Sequence, residues 1–344
     1  MKNLRDMTYE DMLSSVSALG EKPYRAEQIY GWVYNKAAAS IDGMSDVSKG
    51  LREKLKDWFC IAGTLPVETV TSSDGTVKFL SLLEDGKKIE SVIIPEGKRL
   101  TLCVSSQAGC AFACAFCRTG KTGLSRNLHL FELASQVIEA KRLAPGGMEL
   151  TNIVLMGMGE PLANYGNVVK FLNILVDPKG FGFSHNRVTV STCGIVPAIK
   201  KLAHDANANL AVSLSATTDE VRDVLMPINR KYPLALLMEA LKAYPLTGKK
   251  RHITIEYVLI KGLNDTPADE SRLIRLLRGM KCKVNIIPFN TFAGSSFEPP
   301  ADERIRGFHK SLNDAGVIAS IRTGKGIDIQ AACGTLAGGR DSCD

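Results

Sequence analysis

The chain has 344 residues, which excludes a single small domain and fits one barrel-sized domain with an appendage. Apolar residues make up 45 % and charged residues 23 % of the chain, the composition of an ordinary globular protein with a sizeable core. The formal net charge of +7 suggests a polyanionic partner without proving one.

The N-terminal stretch, MKNLRDMTYEDMLSS, has no apolar core of the signal-peptide type. No later stretch approaches the roughly 20 apolar residues of a membrane span, so we expect a cytoplasmic protein without membrane contact. In that compartment the nine cysteines would be reduced. Their number therefore favours metal binding or catalysis over a disulfide framework.

The first predicted elements are helical. From Tyr24, the apolar residues of YRAEQIYGWVYNKAA fall on one helical face. A second helix begins near SDVSKGLREKLKDWF, with Asp46 or Ser48 as its N-cap. We assign residues 1–63 to a helical accessory domain.

After residue 63 the spacing of apolar residues changes from the period of a helix to that of a strand. The segment VETVTSSDGTVKFLSLLEDGKKIESVIIP is strand-like and contains two good hairpin turns, Asp74-Gly75 and Asp85-Gly86. These turns predict a β-meander over residues 64–95.

The rest of the chain, residues 96–344, alternates between strand-like and helical stretches. The predicted strands are LTLCVSS, NIVLMGM, RVTVSTC, NLAVSLSA, ITIEYVLI and VNIIPFN. The predicted helices include LFELASQVIEAKRLA, NVVKFLNILV, PAIKKLAHDA, LALLMEALKAY, DESRLIRLLRGM and DERIRGFHKSLNDAG. Six β–α units with apolar, β-branched strands favour an α/β fold with a parallel sheet, either an incomplete (β/α)6 barrel or a doubly wound sheet. Both folds place chemistry at the C-terminal ends of the strands, where GMGEP, STCG, SLSA and PFN all fall.

Three cysteines, Cys110, Cys114 and Cys117, lie in GCAFACAFC just after the first of these strands. A closed structural zinc site uses four ligands, usually in separated pairs. A cubane iron–sulfur cluster has four irons, and thiolates normally hold all of them. Three thiolates would leave one iron open, so the cluster could bind a substrate instead of only transferring electrons.

The spacing C-x3-C-x2-C, with an aromatic residue before the last cysteine, resembles the radical S-adenosylmethionine (SAM) superfamily. In that superfamily the amino and carboxylate groups of SAM bind the open iron of a [4Fe-4S] cluster, and the reduced cluster cleaves SAM to a 5′-deoxyadenosyl radical. Dispersed segments resemble more narrowly the RlmN/Cfr group of RNA adenine methyltransferases: LCVSSQAGCAFACAFCRTG, GMGEPLANY, STCGIVPAI, LMPINRKYPL, VNIIPFN and GIDIQAACGTL. The match runs from about Glu90 to Leu336, and the N-terminal helical module also fits. The resemblance implies a radical SAM barrel that uses a [4Fe-4S] cluster and SAM.

The resemblance also implies an unusual route for the methyl group. An adenine ring carbon between two nitrogens is electron-poor, and the SAM methyl group is an electrophile, so direct polar transfer would pair two electrophiles. Members of the group first methylate a protein cysteine with one SAM. A radical from a second SAM removes hydrogen from the S-methyl group, and the carbon radical adds to adenine. A second cysteine assists proton loss and releases the product by forming a transient disulfide.

Matched residue by residue, Cys333 in QAACGTL is the methyl carrier and Cys103 in TLCVSS is the resolving cysteine. Glu90 in KKIESV matches a carboxylate assigned as proton acceptor. Each residue has a simpler interpretation: Cys103 as a small core residue, Cys333 as a structural residue, and Glu90 as an exposed strand position.

The same matching predicts the residues that contact SAM: Gly159, Glu160, Ser191, Ser213, Leu214, Ser215 and Asn290. Glycine lets backbone carbonyls approach a ligand closely, and a carboxylate can hold an ammonium group. Serine stands at position 215 where the group often has histidine, so this contact is the least secure. Cys193, in STCG, is interpreted as a bystander near the pocket.

We therefore expect an enzyme that methylates C2 of an adenosine in 23S ribosomal RNA and of the adenosine beside the anticodon in transfer RNA. One alternative is C8 methylation, which confers antibiotic resistance; STCG favours C2, because an apolar residue replaces Cys193 in the C8 type. Another alternative is a non-catalytic, zinc-stabilised RNA-binding protein. We also expect a monomer, served by a low-potential electron donor such as flavodoxin or ferredoxin.

Basic residues cluster in GKR (97–99), NRK (229–231), GKKRH (248–252) and RTGK (322–325). Each cluster is either a solvated surface or part of a nucleic-acid footprint. Their shared occurrence in predicted loops supports the footprint, which would bind RNA phosphates around a base splayed out of its fold.

Overall fold

One ten-stranded sheet forms the centre of the protein, which a computed structural model describes over residues 1–246 and 251–339. In chain order the strands are β1 (Lys2–Asn3), β2 (Phe59–Cys60), β3 (Leu65–Thr71), β4 (Val77–Leu82), β5 (Lys88–Glu96), β6 (Arg99–Cys103), β7 (Gln107–Gly109), β8 (Leu124–Asn127), β9 (Asn152–Leu155), β10 (Val188–Thr192), β11 (Asn209–Ser213), β12 (Ile253–Leu259), β13 (Cys282–Pro288) and β14 (Ala319–Ile321). The order in the large sheet is β14-β13-β12-β11-β10-β9-β6-β5-β4-β3. The pairs β1–β2 and β7–β8 form two small separate sheets.

From β6 onward the large sheet is parallel and follows the order of the chain. A doubly wound sheet reverses its strand order at a switch point, whereas a barrel adds each new strand on the same side. The described order has no reversal, so the incomplete barrel is confirmed and the doubly wound alternative is wrong. The short parallel strand β14 was not predicted, because three residues are too few to show a period.

Helices cover the parallel strands and build the N-terminal module. They are α1 (Tyr9–Ala18), α2 (Tyr24–Tyr30), α3 (Lys49–Trp58), α4 (Arg118–Lys121), α5 (Leu130–Leu143), α6 (Tyr165–Val176), α7 (Val196–Asp205), α8 (Asp219–Leu225), α9 (Leu234–Lys242), α10 (Pro267–Leu277) and α11 (Asp302–Asp314). The predicted barrel helices are confirmed as α5, α6, α7, α9, α10 and α11, whereas α8 was not predicted. Across the described residues, none of the helices combines the length and the hydropathy needed to span a bilayer.

The N-terminal module contains both predicted helices and an additional one, α1. Thr8 caps α1, since its side chain accepts a hydrogen bond from the Asp11 amide and the Asp11 carboxylate accepts one from the Thr8 amide. Ser48, and not Asp46, caps α3. The module contacts the barrel where the Asp6 carboxylate accepts a hydrogen bond of 3.2 Å from the Phe131 amide, in the first turn of α5.

The predicted meander is confirmed as the antiparallel strands β3, β4 and β5. Gly75 and Gly86 occupy the two turns with φ of +83° and +79°, a backbone region that favours glycine. Strand β5 pairs with β6, so the meander extends the barrel sheet and Val92 lies opposite Cys103. The division at residues 63, 95 and 96 stays a prediction.

Candidate active site

The C-terminal ends of the parallel strands surround a cavity of about 170 Å³, which we call the strand-end cavity. Residues predicted to share one site line it: Cys110, Cys114, Cys117, Gly159, Glu160, Ser191, Ser213, Asn290 and Cys333. These residues come from segments far apart in the chain. The structure thus brings the predicted cluster ligands, most predicted SAM contacts and the predicted methyl carrier together.

The loop that carries the three cysteines is fixed by backbone contacts. The Ala115 amide donates a hydrogen bond of 2.9 Å to the Leu225 carbonyl at the end of α8. The Cys117 amide donates one of 3.0 Å to the Cys114 carbonyl. Gly120, in α4, packs so closely against the backbone of the cysteine loop that a Cβ there would lie 3.0 Å from the Cys114 nitrogen. Glycine at this position therefore lets α4 press against the cysteine loop.

The three thiols lie in an apolar environment that suits a positively charged partner. Phe112 and Phe116 pack in a hydrophobic cluster around the loop. Burial raises the pKa of Cys110 to about 11, raises that of Cys114 well above its usual value, and raises that of Cys117. Thiolates form in such a place only beside a cation, and iron supplies one, so the donor set fits an iron–sulfur cluster.

A single metal ion makes different demands on its ligands. Within residues 1–246 and 251–339, no three His, Cys, Asp or Glu side chains are close enough to hold one metal ion. The thiolates of a cubane cluster bind separate irons, so they need not meet that condition.

Glu160 is a buried carboxylate that connects two strand ends. It accepts hydrogen bonds of 2.9 Å from the Leu162 amide and 2.7 Å from the Cys193 amide. Burial nevertheless raises the pKa of Glu160. A carboxylate in this state would be stabilised by an ammonium group in the cavity, as predicted for the amino group of SAM.

The structure also shows a buried arginine that the sequence did not predict. Arg222, on α8, is fully buried and donates hydrogen bonds to the carbonyls of Cys193 (2.8 Å), Ser213 (3.2 Å) and Leu214 (3.1 Å). It therefore ties the end of β11 to the loop after β10. The many charged residues of α8 are typical of a solvated face, which is why its burial was missed.

Replacing Arg222 with methionine should destabilise the protein strongly, because it leaves buried carbonyls without donors. We expect the free energy of unfolding to fall by roughly 3–5 kcal/mol in urea denaturation. Arg230→Met, at an exposed position in the segment after α8, is the control and should change it by less than about 0.5 kcal/mol. Similar small losses in the two variants would show that the buried contacts contribute little.

Two of the predicted SAM contacts lie behind the cavity wall. Leu214 and Ser215 are fully buried and do not line the strand-end cavity. The Ser215 hydroxyl accepts a hydrogen bond of 3.3 Å from the Val258 amide. The Ser215 carbonyl accepts one of 2.7 Å from the Asn264 side chain. Cys193 lines the cavity; its amide donates a hydrogen bond to Glu160, and its carbonyl accepts one from Arg222. Its backbone is thus part of the site framework, which motif matching did not reveal.

The predicted carrier and resolving cysteines lie at the same end of the barrel as free thiols. Cys333 is an exposed residue at the cavity, and Asn290 donates a hydrogen bond of 3.0 Å to its carbonyl. Cys103 is buried at the end of β6, and its pKa is raised to about 12 by burial and, second, by the charge of Cys333.

Glu90 is buried, so the interpretation as an exposed strand position is wrong. Its carboxylate accepts hydrogen bonds of 2.6 Å from the Ala337 amide and 3.0 Å from the Gly338 amide. It also pairs with Lys78 at 3.0 Å. Glu90 therefore holds the loop that follows Cys333; its assignment as proton acceptor stays a prediction.

Two family models match the chain. Residues 2–61 match the Ribosomal RNA large subunit methyltransferase N-terminal domain. Residues 104–273 match the Radical SAM superfamily. The matches cover the N-terminal module and most of the barrel.

Full-length relatives and one solved structure agree with these matches. The dual-specificity RNA methyltransferase RlmN of Syntrophotalea carbinolica is 50 % identical over 98 % of this chain and 90 % of its own length. The protein of the same name from Geobacter sulfurreducens is 46 % identical over 99 % of this chain and 94 % of its own. The crystal structure of a radical SAM methyltransferase from Sphaerobacter thermophilus has a TM-score of 0.91 and 42 % identity, covering 98 % of this chain and 99 % of that one. The chain therefore belongs to the RlmN family of radical SAM RNA methyltransferases.

Proposed function

We propose that this protein methylates C2 of an adenosine in 23S ribosomal RNA and C2 of the adenosine beside the anticodon in transfer RNA. The observation that carries the proposal is the position of Cys333 at the strand-end cavity, with a second free thiol, Cys103, at the C-terminal end of β6 at the same end of the barrel. A protein that only binds RNA or transfers electrons has no use for this second pair of thiols. The relatives' name, dual-specificity RNA methyltransferase, supports two RNA substrates.

The family uses a [4Fe-4S] cluster and SAM. Cys110, Cys114 and Cys117 would hold the cluster, which together with SAM supplies a hydrogen-abstracting radical. The remaining polar wall of the cavity would orient SAM: Gly159, Glu160, Ser191, Ser213 and Asn290. Leu214 and Ser215 would not contact SAM directly; they would support that wall from the buried side.

Cys333 is the methyl carrier in this proposal. Its thiolate attacks the methyl carbon of SAM, so a sulfur–carbon bond forms on the protein while the bond from the methyl group to the sulfonium breaks and S-adenosylhomocysteine leaves. Asn290 binds the carbonyl of Cys333, and Glu90 holds the chain four residues further on, so both contacts fix the backbone that follows this sulfur. After hydrogen removal, the carbon radical on Cys333 adds to C2 of the adenine. The adduct then loses the C2 proton and one electron, which the cluster would take back, and protein and RNA remain linked by a thioether.

Cys103 resolves that link. Its thiolate attacks the sulfur of Cys333, the sulfur–carbon bond breaks, and the electron pair on the departing carbon takes a proton to complete the methyl group. Both cysteines end as a disulfide, which an external thiol reductant must reduce before the next cycle. Glu90 is proposed to accept the proton lost from C2, and its contacts with Ala337 and Gly338 place it next to the carrier loop.

The reaction product tests this function directly. RNA treated with the reduced enzyme and SAM, then digested, should contain 2-methyladenosine and no 8-methyladenosine by mass spectrometry. Cys193 at the cavity favours this outcome over C8 methylation. Cys333→Ala is the matched control and should give neither product. Detection of 8-methyladenosine would contradict C2 chemistry, and an active SAM-cleaving enzyme that leaves RNA unmodified would contradict the function as a whole.

The expected electron donor, flavodoxin or ferredoxin, and the monomeric state are part of the proposal. Of the basic clusters, GKKRH lies mostly outside the described residues. Asn229 of NRK is buried and donates hydrogen bonds to Asp219 and Asp223, and Lys325 of RTGK lies 3.9 Å from Asp74. These contacts favour a structural use of part of the two clusters over RNA binding.

A further inference from the structure

A second cavity of about 340 Å³ opens near the strand-end cavity. Its walls come from the β4–β5 turn, from β7 and β8, and from the loop after Cys333. Its lining includes Asp85, Lys87, Lys88, Ser125, Met158 and Gly338. The volume falls within the range of known ligand pockets, about 300–1,000 Å³.

The two cavities share two stretches of chain. In the loop after Cys333, Gly334 lines the strand-end cavity, whereas Ala337, Gly338 and Gly339 line the second cavity. In the loop after β9, Gly157 and Gly159 face the first cavity and Met158 faces the second. Four residues of chain span at most about 14 Å, so the second cavity lies within a few nucleotides of the proposed carrier sulfur.

The walls of the second cavity meet through glycine backbones. Gly338 has a φ of +70°, and a Cβ there would lie 2.7 Å from the Lys88 carbonyl. Gly109 has a φ of +83°, and a Cβ there would lie 1.9 Å from the Gly123 carbonyl. Only glycine permits this spacing, so at these two positions the walls present peptide groups instead of side chains.

The charge of the second cavity is positive. Lys87 and Lys88 line it, and neither ammonium group has an ion-pair partner among the residues that the structure describes. The acidic wall residue, Asp85, is already paired with Arg126 at 2.7 Å. Asp85 also attracts the charge of Lys87, without forming an ion pair with it. Two ammonium groups that are not ion-paired, beside polar backbone, suit a ligand that carries a phosphate and hydroxyl groups.

We propose that the second cavity binds the ribose and phosphate of an RNA nucleotide that neighbours the target adenosine. This inference rests on the proposed function, because it assumes that RNA reaches Cys333. Lys87 and Lys88 contact the phosphate, and the glycine walls admit the sugar. The site holds the RNA strand beside the carrier loop while the target base enters the strand-end cavity.

Two variants test this site by charge and by size. Lys87→Gln/Lys88→Gln should raise the Kd for a transfer RNA transcript at least about tenfold and reduce the slope of log binding constant against log salt by one to two. Ser125→Trp fills the cavity without changing charge, and should raise the KM for RNA by a similar factor. Both variants should keep the SAM affinity and the RNA-independent SAM cleavage of the unmodified enzyme, which also shows that they fold.

Matched controls separate this site from general basic charge. Lys200→Gln/Lys201→Gln removes two exposed charges from α7, which carries none of the basic clusters, and Ser271→Trp adds the same bulk on α10. Both controls should bind RNA as the unmodified enzyme does. Equal effects of the paired variants and controls, or no effect of either test variant, would overturn the proposed nucleotide site. Failure of the unmodified enzyme to make 2-methyladenosine, with the Kd differences present, would instead overturn the proposed chemistry.

Discussion

Cys103→Ala should leave the enzyme covalently attached to its RNA, whereas Cys333→Ala should leave the RNA untouched. Cys333 receives the methyl group, so without it no carbon is available for the new bond. Cys103 acts only after that bond exists, so its loss should stop the reaction at the thioether. A denaturing gel after incubation with SAM, reductant and RNA should show a shifted band for Cys103→Ala alone.

The double variant Cys103→Ala/Cys333→Ala is the control, and it should show no shifted band. Two merely structural cysteines would behave differently, because their loss would lower stability without separating two stages of a reaction. If both single variants still make methyladenosine and neither cross-links, the two-cysteine mechanism does not operate in this protein.

Replacing any one of Cys110, Cys114 and Cys117 with alanine should abolish both cluster binding and SAM cleavage. The unmodified protein, prepared without oxygen, should be brown and hold about four irons per chain. Each variant should lose the iron and the visible absorbance, since the cysteine loop carries three thiols and the cluster needs all of them.

Cys282→Ala is a suitable control for the cluster variants. Cys282 is a half-buried thiol at the start of β13 and does not line the strand-end cavity. Its replacement should leave iron content and SAM cleavage unchanged. An iron-free protein that still cleaves SAM would contradict the assignment of the cysteine loop.

The barrel and its site were predictable because the relevant patterns are local in sequence. Apolar strands, the two Asp-Gly turns and the cysteine spacing each occupy a few consecutive residues, and parallel strands bring their C-terminal ends to one edge. The position of Glu160 at the cavity follows from this rule and a motif match. The same rule explains why the predicted cluster ligands and Cys333 converge.

The features that were missed depend on contacts between distant segments. Arg222 is buried because carbonyls from β11 and from the loop after β10 surround it, and its own helix gives no sign of this. Ser215 lies behind the cavity because Val258 and Asn264 bind it there. The buried carboxylate of Glu90 is satisfied by the amides of Ala337 and Gly338, which lie more than 240 positions away in the chain. No local period encodes such partners.

The burial of Cys103 also has a consequence for survival of the resting enzyme in the presence of oxidants. With a pKa of about 12, its sulfur is a protonated thiol at neutral pH. Oxidation and disulfide exchange both begin from a thiolate, so this thiol starts neither reaction in the resting enzyme and becomes a nucleophile only after it loses its proton in the resolving step. The pKa of Cys333 is also raised, to about 11. The pair therefore resists forming its disulfide between catalytic cycles, and the cell's reductants are consumed by turnover instead of by repair of the resting enzyme.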